Sequence, residues 1–333
     1  MNIIIPMAGM GSRLRPHTLT IPKPLVPVGG KPIVHRLVED IVETSTEKID
    51  EIAFIIGDFG KEVEHELLKM AESMGAKGKV FYQDKPLGTA HAVLCAAECL
   101  TGPVVVAFAD TLFRANFKLD TNADGIIWVK QIDDPSSFGV VKLDEEKHIV
   151  DFIEKPKDFV SDLAMIGIYY FKSGEELKFE LQYLIDNGII KGGEYQLPDA
   201  LKNLTKKGHK FKTGEVDEWL DCGNPKVTIH TNQRVLEFDK EKELVSDDVQ
   251  LINAVIIPPC FIGKNVRIEN AIVGPHVSLG NGTTVENAIV KNSIVQKNAV
   301  ISNTVLKDSM IGNHAKILSA AKSISIGDYT TIE

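Results

Sequence analysis

The residues best equipped for chemistry lie in AGMGSRLRPHTLTIPKPL, Ala8 to Leu25, directly after the apolar run NIIIPM. Two glycines, two arginines, a lysine and three prolines fall within this stretch, a composition suited to holding an anion. Glycines let backbone N–H groups approach phosphate oxygens closely, and successive N–H groups form anion-binding concavities. Two standard phosphate loops do not fit. A dinucleotide loop needs GxGxxG opening a helix, yet Leu14 stands where the third glycine belongs. Pro16, Pro22, Pro24 and Pro27 forbid a long helix immediately after the turn. A P-loop needs Gly-Lys followed by Ser or Thr, whereas Gly30-Lys31, just beyond this stretch, runs into Pro32. What remains is a strand, GxGxRL, a loop and PKPL. Arg13 and Lys23 then sit on one proline-stiffened loop, placed to neutralise a polyphosphate.

Other chemistry is sparser. None of the nine histidines forms a ligand-spaced cluster, and no Ser-His-Asp order stands out. Cys95, Cys99, Cys222 and Cys260 show no CxxC spacing. Cys95 and Cys99, one helical turn apart, read as helix packing rather than as a disulfide or zinc site. Asp110 ends the apolar run PVVVAFAD, where open α/β sheets place their ligands, although a lone Asp there equally suits a helix cap.

The elements that must position these residues alternate up to about Gly223. NIIIPM, EIAFIIG, KVFYQ, PVVVAFAD and GIIWVKQ read as buried strands; PIVHRLVEDIVE, FGKEVEHELLKMAES and LGTAHAVLCAAECL carry apolar residues at helical spacing. Such alternation implies crossover units and a mostly parallel sheet, hence an α/β, Rossmann-like domain. GIIWVKQ, FGVVKLDEEKHIVDFIEKP and LAMIGIYYFK add strands and a hairpin that cover one sheet edge. PKVTIHTNQRVLEF reads as a helix and DKEKELVSDD as a polar linker. The expected division is residues 1–238, a linker at 239–250, and a second domain over 251–333.

The texture changes from Leu251. Aliphatic residues fall at Ile262, Ile268, Val273, Leu279, Val285, Val290, Val295, Ile301, Leu306, Ile311 and Ile317, always five or six apart. Neither a helix nor a coiled coil has that period. It predicts a parallel β-helix in which each short strand points one aliphatic side chain into a shared core, rather than a β-sandwich. Gly, Asn and Asp between the strands supply turns, because they tolerate positive φ. Three strands per coil give roughly four coils stacked about 4.8 Å apart.

Composition narrows the function. With 333 residues the chain is long enough for two domains at about 150 residues each. A formal net charge of −9 argues against a general nucleic-acid binder, which needs excess Lys and Arg against phosphate. The opening MNIIIPMAG lacks a signal peptide's charged and long apolar regions, and no run approaches the roughly 18 apolar residues of a membrane span. The expectation is a protein of the reduced cytoplasm, not bound to membrane.

The chain resembles the sugar-1-phosphate nucleotidylyltransferases, the NDP-sugar pyrophosphorylases. Their signature, GxGxRLxPxT followed by PKPLxPVxxKP, reads here as GMGSRLRPHTLTIPKPLVPVGGKP. The resemblance covers essentially the whole chain, since several members append a left-handed β-helix. It implies nucleotide contacts at Ala8, Gly9 and Gly11 and catalytic roles for Arg13 and Lys23. YQDKPLGTAHAV resembles the base-binding segment: Gln83 offers its amide oxygen to a pyrimidine N3–H and its NH₂ to a carbonyl, and Gly88 leaves room for the base. The resemblance further implies that Asp110 and Asp221, the latter in WLDCGNP, hold Mg²⁺. In FIEKP, Glu154 would bind sugar hydroxyls and Lys155 the sugar phosphate; Gly139, Tyr169 and Glu194 would complete the sugar pocket. The implied reaction joins an NTP and a sugar 1-phosphate into an NDP-sugar and pyrophosphate. Gln83 resembles members using dTTP or UTP more than those using GTP, which carry an acid there. Glucose 1-phosphate is the expected sugar partner.

Two other readings remain at this point. The β-helix could be an acyltransferase with His276 or His314 as general base, making the chain bifunctional. Alternatively, the chain could be a non-catalytic sensor of NDP-sugars, although Arg13, Lys23, Asp110, Lys155 and Asp221 are all present. Otherwise the β-helix would serve assembly or regulation, its open coil ends suiting contacts in a homo-oligomer.

Overall fold

The computed structural model describes residues 1–115 and 119–319; the stretch 320–333, expected as part of the β-helix, lies outside the described residues. The chain divides into two compact units, Met1–Val26 with Pro32–Gly223, and Pro27–Lys31 with the residues from Asn224 onward. The helix expected to close the first domain therefore groups with the second. Among the described residues no helix is long and apolar enough to cross a membrane.

In the first unit nine strands form one sheet. Strands β1 (Asn2–Pro6), β2 (Glu51–Ile56), β3 (Lys77–Tyr82) and β4 (Val104–Ala107) lie parallel in the order β4-β1-β2-β3. β1 is buried along its whole length, as strands covered on both faces must be. Helices α1 (Ile33–Thr44), α2 (Lys61–Ser73) and α3 (Thr89–Leu94) make the crossovers. α3 is shorter than the apolar spacing predicts: it stops at Leu94, and Cys95 to Cys99 continue as turns. All four cysteines are free thiols.

Antiparallel strands complete the sheet. β9 (Leu163–Phe171) pairs with β4, with β6 (Gly125–Gln131) and, at Ala164, with β7 (Gly139–Leu143). β7 and β8 (Ile149–Glu154) form the expected edge hairpin, and β10 (Phe211–Glu215) runs parallel to β6. Phe211 meets Phe152 and Phe171 edge-to-face, with centroids 5.9 and 6.2 Å away, beneath helices α4 (Gly174–Asp186) and α5 (Leu197–Lys206). Truncating fully buried Phe152 to Ala would cost about 3–5 kcal/mol. A separate ribbon of β5 (Thr111–Arg114) and β11 (Glu218–Asp221) follows Asp110 and sets Asp221 opposite Thr111. The carboxyl ends of β1, β3 and β4 thus deliver Ala8, Gln83 and Asp110 to one edge of the sheet, where such sheets bind ligands.

The second unit contains helix α6 (Pro225–Phe238), capped by Asn224 Oδ1, which accepts from Val227 N at 3.2 Å. Its short strands stack into three parallel ladders, for example Gln250–Ile252, Arg267–Glu269, Thr284–Glu286, Val300–Ser302 and Lys316–Leu318. The predicted inward residues from Ile262 to Ile301 are buried in one core, with Leu306 and Ile311 packed against it. This is a parallel β-helix. The corners between its strands are left-handed and form ladders: Asn253, Asn270, Asn287 and Asn303 in one, Asn265, Gly282, Asn298 and His314 in another, and His276, Asn292 and Asp308 in a third. Asparagine tolerates this backbone and ties neighbouring corners, as where Asn253 Nδ2 donates to Asn270 Oδ1 at 2.8 Å.

The stretch expected as a linker is already part of this stack. Val245 bridges Ile262 in parallel, and Ser246 N donates to Ile262 O at 2.9 Å. The tail of the PKPLVPVGG signature belongs here too. Gly29 N donates to Asn232 Oδ1 at 2.9 Å, and a Cβ on Gly30 would stand 2.2 Å from the Phe261 ring.

Candidate active site

The glycine–arginine arm leaves β1 and turns sharply at Gly11, whose φ of 57° and carbonyl bond from Thr18 Oγ1 at 2.8 Å fix the bend. A Cβ at Gly11 would lie 2.8 Å from Lys23 Cβ, so glycine lets the two halves of the arm close on each other. Leu14, the residue that spoils the dinucleotide pattern, is fully buried and anchors a short turn, Ser12–Leu14. Arg13 beside it is exposed and pairs with no carboxylate among the described residues. Gly9 has open space around the position of a side chain.

This arm forms one wall of a cleft of about 360 Å³. Ala8, Gly9, Gly11, Arg13, Lys23, Gln83, Gly88, Asp110 and Glu194 all line it. Lys23, itself buried, places Nζ 3.0 Å from Asp110 Oδ2, joining the basic arm to the acidic strand end. Asp221 is held next to Asp110 by the ribbon, where Cys222 N donates to Asp110 O at 3.0 Å. Burial and then the neighbouring Asp110 charge push the Asp221 carboxyl above its usual range, while Lys23, a backbone bond from Gly223 and Arg13 pull it down. Two adjacent carboxylates in a partly desolvated site repel each other, and a divalent cation relieves that repulsion. Among the described residues no cluster of three or more His, Cys, Asp or Glu is gathered for a metal. Two carboxylates nevertheless suit Mg²⁺, which takes one or two of them along with phosphates and water.

Gly139, Glu154, Lys155 and Tyr169 stand outside the lining of that cleft but are tied to one another. A Cβ on Gly139 would fall 2.8 Å from Glu154 Oε2, so the glycine lets that carboxylate lie against β7. Burial pushes the Glu154 carboxyl up, Lys155 pulls it down, and Glu194 raises it again. Lys155 Nζ is 3.8 Å from Glu154 Oε1, and its backbone is left-handed at φ 43°, held by its N–H donating to Phe138 O at 3.1 Å. Tyr169 is buried, and burial together with the charges of Glu154 and Asp110 holds its phenol protonated. Its ring packs edge-to-face on Phe108, a residue of the cleft wall.

Some of the expected residues also have partners within the chain. Gly88 is required by the protein itself: at φ 110° its Cβ would lie 2.4 Å from Tyr195 O and 2.8 Å from Glu194 Cβ. The Gln83 NH₂ is engaged inside the chain, donating to Gly88 O at 3.1 Å and lying 3.1 Å from His91 Nδ1, so it does not stand ready for a base carbonyl. His276 and His314 are corner residues of the coil ladders, and His276 Nε2 is 2.6 Å from Glu237 Oε1. Sequence reasoning missed His91 and Thr89, whose Oγ1 accepts from Leu197 N at 2.9 Å. Their signal was present: both lie one helical turn or less beyond Gly88 in GTAHA.

The chain is similar to known proteins over most of its length. Residues 2–237 match the nucleotidyl transferase family. The bifunctional protein GlmU of Methanococcus maripaludis is 31% identical over 264 residues, 77% of this chain; the chain spans only 60% of that relative's length. The low-salt glycan biosynthesis nucleotidyltransferase Agl11 of Haloferax volcanii is also 31% identical, over 74% of this chain and 70% of its own. A glucose-1-phosphate thymidylyltransferase of Streptomyces griseus aligns at 28% identity over 99% of this chain and 98% of its own. Among solved structures, a UDP-glucose pyrophosphorylase complexed with UDP-glucose superposes with a TM-score of 0.59 at 23% identity, over 71% of this chain and 98% of that one, a likeness of fold. Over residues 2–237, from β1 through the glycine–arginine arm and β11 into α6, the chain is a member of the nucleotidyl transferase family.

Proposed function

We propose that this protein transfers a nucleotidyl group from dTTP or UTP to a sugar 1-phosphate, glucose 1-phosphate foremost, and releases pyrophosphate. The observation that carries the reading is the junction of Lys23 and Asp110 at 3.0 Å, on a cleft that Arg13 and Gln83 also line. One site therefore combines cations for a triphosphate, carboxylates for a metal and an amide for a base. End-to-end alignment with a glucose-1-phosphate thymidylyltransferase supports dTTP and that sugar. UTP stays beside dTTP because uracil and thymine offer Gln83 the same edge.

In this reading an oxygen of the sugar phosphate attacks the α-phosphorus in line, and pyrophosphate leaves. The nucleophile is already anionic near neutral pH, so neither a general base nor a covalent intermediate is needed. Catalysis is positioning and charge neutralisation. Ala8, Gly9 and Gly11 let the triphosphate approach the backbone, while Arg13 and Lys23 offset charge on the triphosphate and leaving group. Lys155 orients the attacking phosphate. Glu154, Glu194 and neutral Tyr169 hold sugar hydroxyls, and Gly139 gives Glu154 its room. Asp110 and Asp221 are the residues that would hold Mg²⁺, which supplies charge neutralisation at phosphate oxygens.

The supporting experiment incubates purified protein and Mg²⁺ with each NTP and several sugar 1-phosphates, reading pyrophosphate. Release is expected with dTTP or UTP and glucose 1-phosphate, and no release with any pair would refute the reading. The free thiols and net charge of −9 support a reduced cytoplasmic setting without nucleic acid. The β-helix shows an outward stripe of exposed Val255, Ile272, Ile289 and Val305, which supports assembly into a homo-oligomer, measurable by light scattering.

A further inference from the structure

Gln83 follows β3 on the cleft wall, and its amide nitrogen already has two partners in the protein. Nε2 donates to Gly88 O at 3.1 Å and meets His91 Nδ1 at 3.1 Å. An amide nitrogen can only donate, so Nδ1 must accept, which requires a neutral imidazole carrying its proton on Nε2. Burial lowers the His91 pKa, in keeping with that state. The carbonyl of Gly88 fixes the sense of the amide, because a reversed Gln83 would set Oε1 against another acceptor. With both N–H groups taken, Oε1 is the amide atom left for a ligand in the cleft. Among the described residues, Cys95 Sγ also lies near Nδ1, at 3.9 Å.

We propose that His91 is a positioning residue that makes Gln83 read the nucleobase as an acceptor only, selecting bases that present an imino N–H. Uracil and thymine carry that proton at N3, whereas cytosine carries a lone pair there. The inference rests on the nucleotidyl-transfer reading above and deepens it: base choice depends on a side chain behind the contact residue. Without an acceptor at position 91, one N–H of Gln83 is released and the amide can turn its nitrogen towards the base. Cytosine then loses its disadvantage.

The test measures kcat/KM for UTP, dTTP and CTP with glucose 1-phosphate in the wild type, His91→Ala and His91→Asn. The wild type should favour UTP or dTTP over CTP by about a hundredfold or more, since the half-buried Gln83 acceptor, once covered by the base, would face a second acceptor and reject it strongly. His91→Ala should narrow that ratio by about tenfold, chiefly through KM for the nucleotide. His91→Asn, whose Oδ1 can take over the role of Nδ1, should restore most of it. A folded His91→Ala protein that keeps the wild-type ratio within about twofold overturns the inference. So does a wild type that uses CTP as readily as UTP. Absence of pyrophosphate with every triphosphate removes the transfer reading and the inference together. Should His91→Ala not fold, NMR of isotope-labelled histidine in the wild type decides: neutral His91 protonated on Nε2 is required, and a proton on Nδ1 overturns the proposal.

Discussion

The β-helix and the α/β unit use the same backbone conformation for opposite ends. In the β-helix left-handed residues recur in register at most of the described corners, and asparagine fills most of these positions. In the α/β unit, apart from Lys147 in a hairpin turn, Lys155 is the one non-glycine residue described there with positive φ, and it stands beside Glu154. A residue that reappears in register one coil later serves the architecture. A costly residue that appears once, next to a charged partner, serves a site. Histidine follows the same rule: His276 and His314 occupy corners that Asn fills elsewhere, whereas His91 touches the cleft residue Gln83.

The comparison breaks first at the charged arm. Arg13→Ala or Asp221→Asn should lower turnover by about a hundredfold or more, since each removes preorganised charge from the transition state. Their circular-dichroism spectra should match the wild type. His314→Asn, which puts at this corner the residue that Asn265 and Asn298 supply in the same ladder, should leave pyrophosphate release unchanged. If His314→Asn instead abolished thiol release from acetyl-CoA with an amino-sugar phosphate, the corner would be catalytic and the contrast would fail.

Glycines give the second test. Ala at Gly88 must adopt φ near 110° with its Cβ 2.4 Å from the Tyr195 carbonyl, a backbone atom that cannot swing aside. Gly88→Ala should cost about 2–4 kcal/mol of stability and weaken nucleotide binding, as a strained position with no room does. Gly282 shares its ladder with Asn265 and Asn298, and the nearest atom to its missing Cβ is a side-chain oxygen of Asn298. Gly282→Asn should therefore change stability by no more than about 1 kcal/mol. Thermal or urea unfolding separates the two outcomes.

Much of this was legible in the sequence because the relevant signals are local. Runs such as NIIIP gave the strands, and the fixed aliphatic step gave the β-helix core from Ile262 to Ile301. Gln83 and Asp110 stood out because each follows a recognisable strand end, and Arg13 and Lys23 because GxGxRL and PKPL bracket one proline-stiffened loop. What escaped is non-local. The fit of Gly88 against Tyr195 joins positions far apart in sequence, and the Gly30–Phe261 contact takes part of the signature for structure. The Asp239–Gln250 stretch looked like a linker because its side chains are polar, but Ser246 N and Leu244 O, backbone groups, lay it against Ile262. The His91–Gln83 contact sat within one short motif, yet a histidine on a helix gives no hint of its acceptor role until the amide is placed.

Lys155 separates stability from activity. Glycine tolerates left-handed φ freely, so Lys155→Gly should relieve about 1 kcal/mol of backbone strain and hold or raise the melting temperature. If Lys155 orients the sugar phosphate as proposed, the same change removes that ammonium and should raise KM for the sugar 1-phosphate about tenfold. In the β-helix, Asn287→Gly should affect neither constant. Loss of stability in Lys155→Gly would mean that its ion pair with Glu154 outweighs the strain, and that the residue is architectural after all.

The smallest effect concerns pH and sharpens the histidine contrast. Gln83 needs an unprotonated Nδ1 on His91, and a proton there would set two N–H donors against each other. The groups facing this imidazole are the Gln83 amide and the Cys95 thiol, with Asp84 acting on that thiol. Because burial lowers the His91 pKa from its ordinary value, KM for UTP or dTTP should stay flat through neutral pH. It should rise several-fold only as acidification reaches that lowered pKa and protonation costs the hydrogen bond, worth about 1 kcal/mol. The triphosphate also gains a proton in mildly acid solution, so the variant rather than the wild-type profile decides. His91→Asn keeps an acceptor that does not titrate, and its KM should lose the part of the acid rise that belongs to the imidazole. If His91→Asn and the wild type rise together, the acid limb belongs to the nucleotide, and His91 is as passive as the corner histidines of the β-helix.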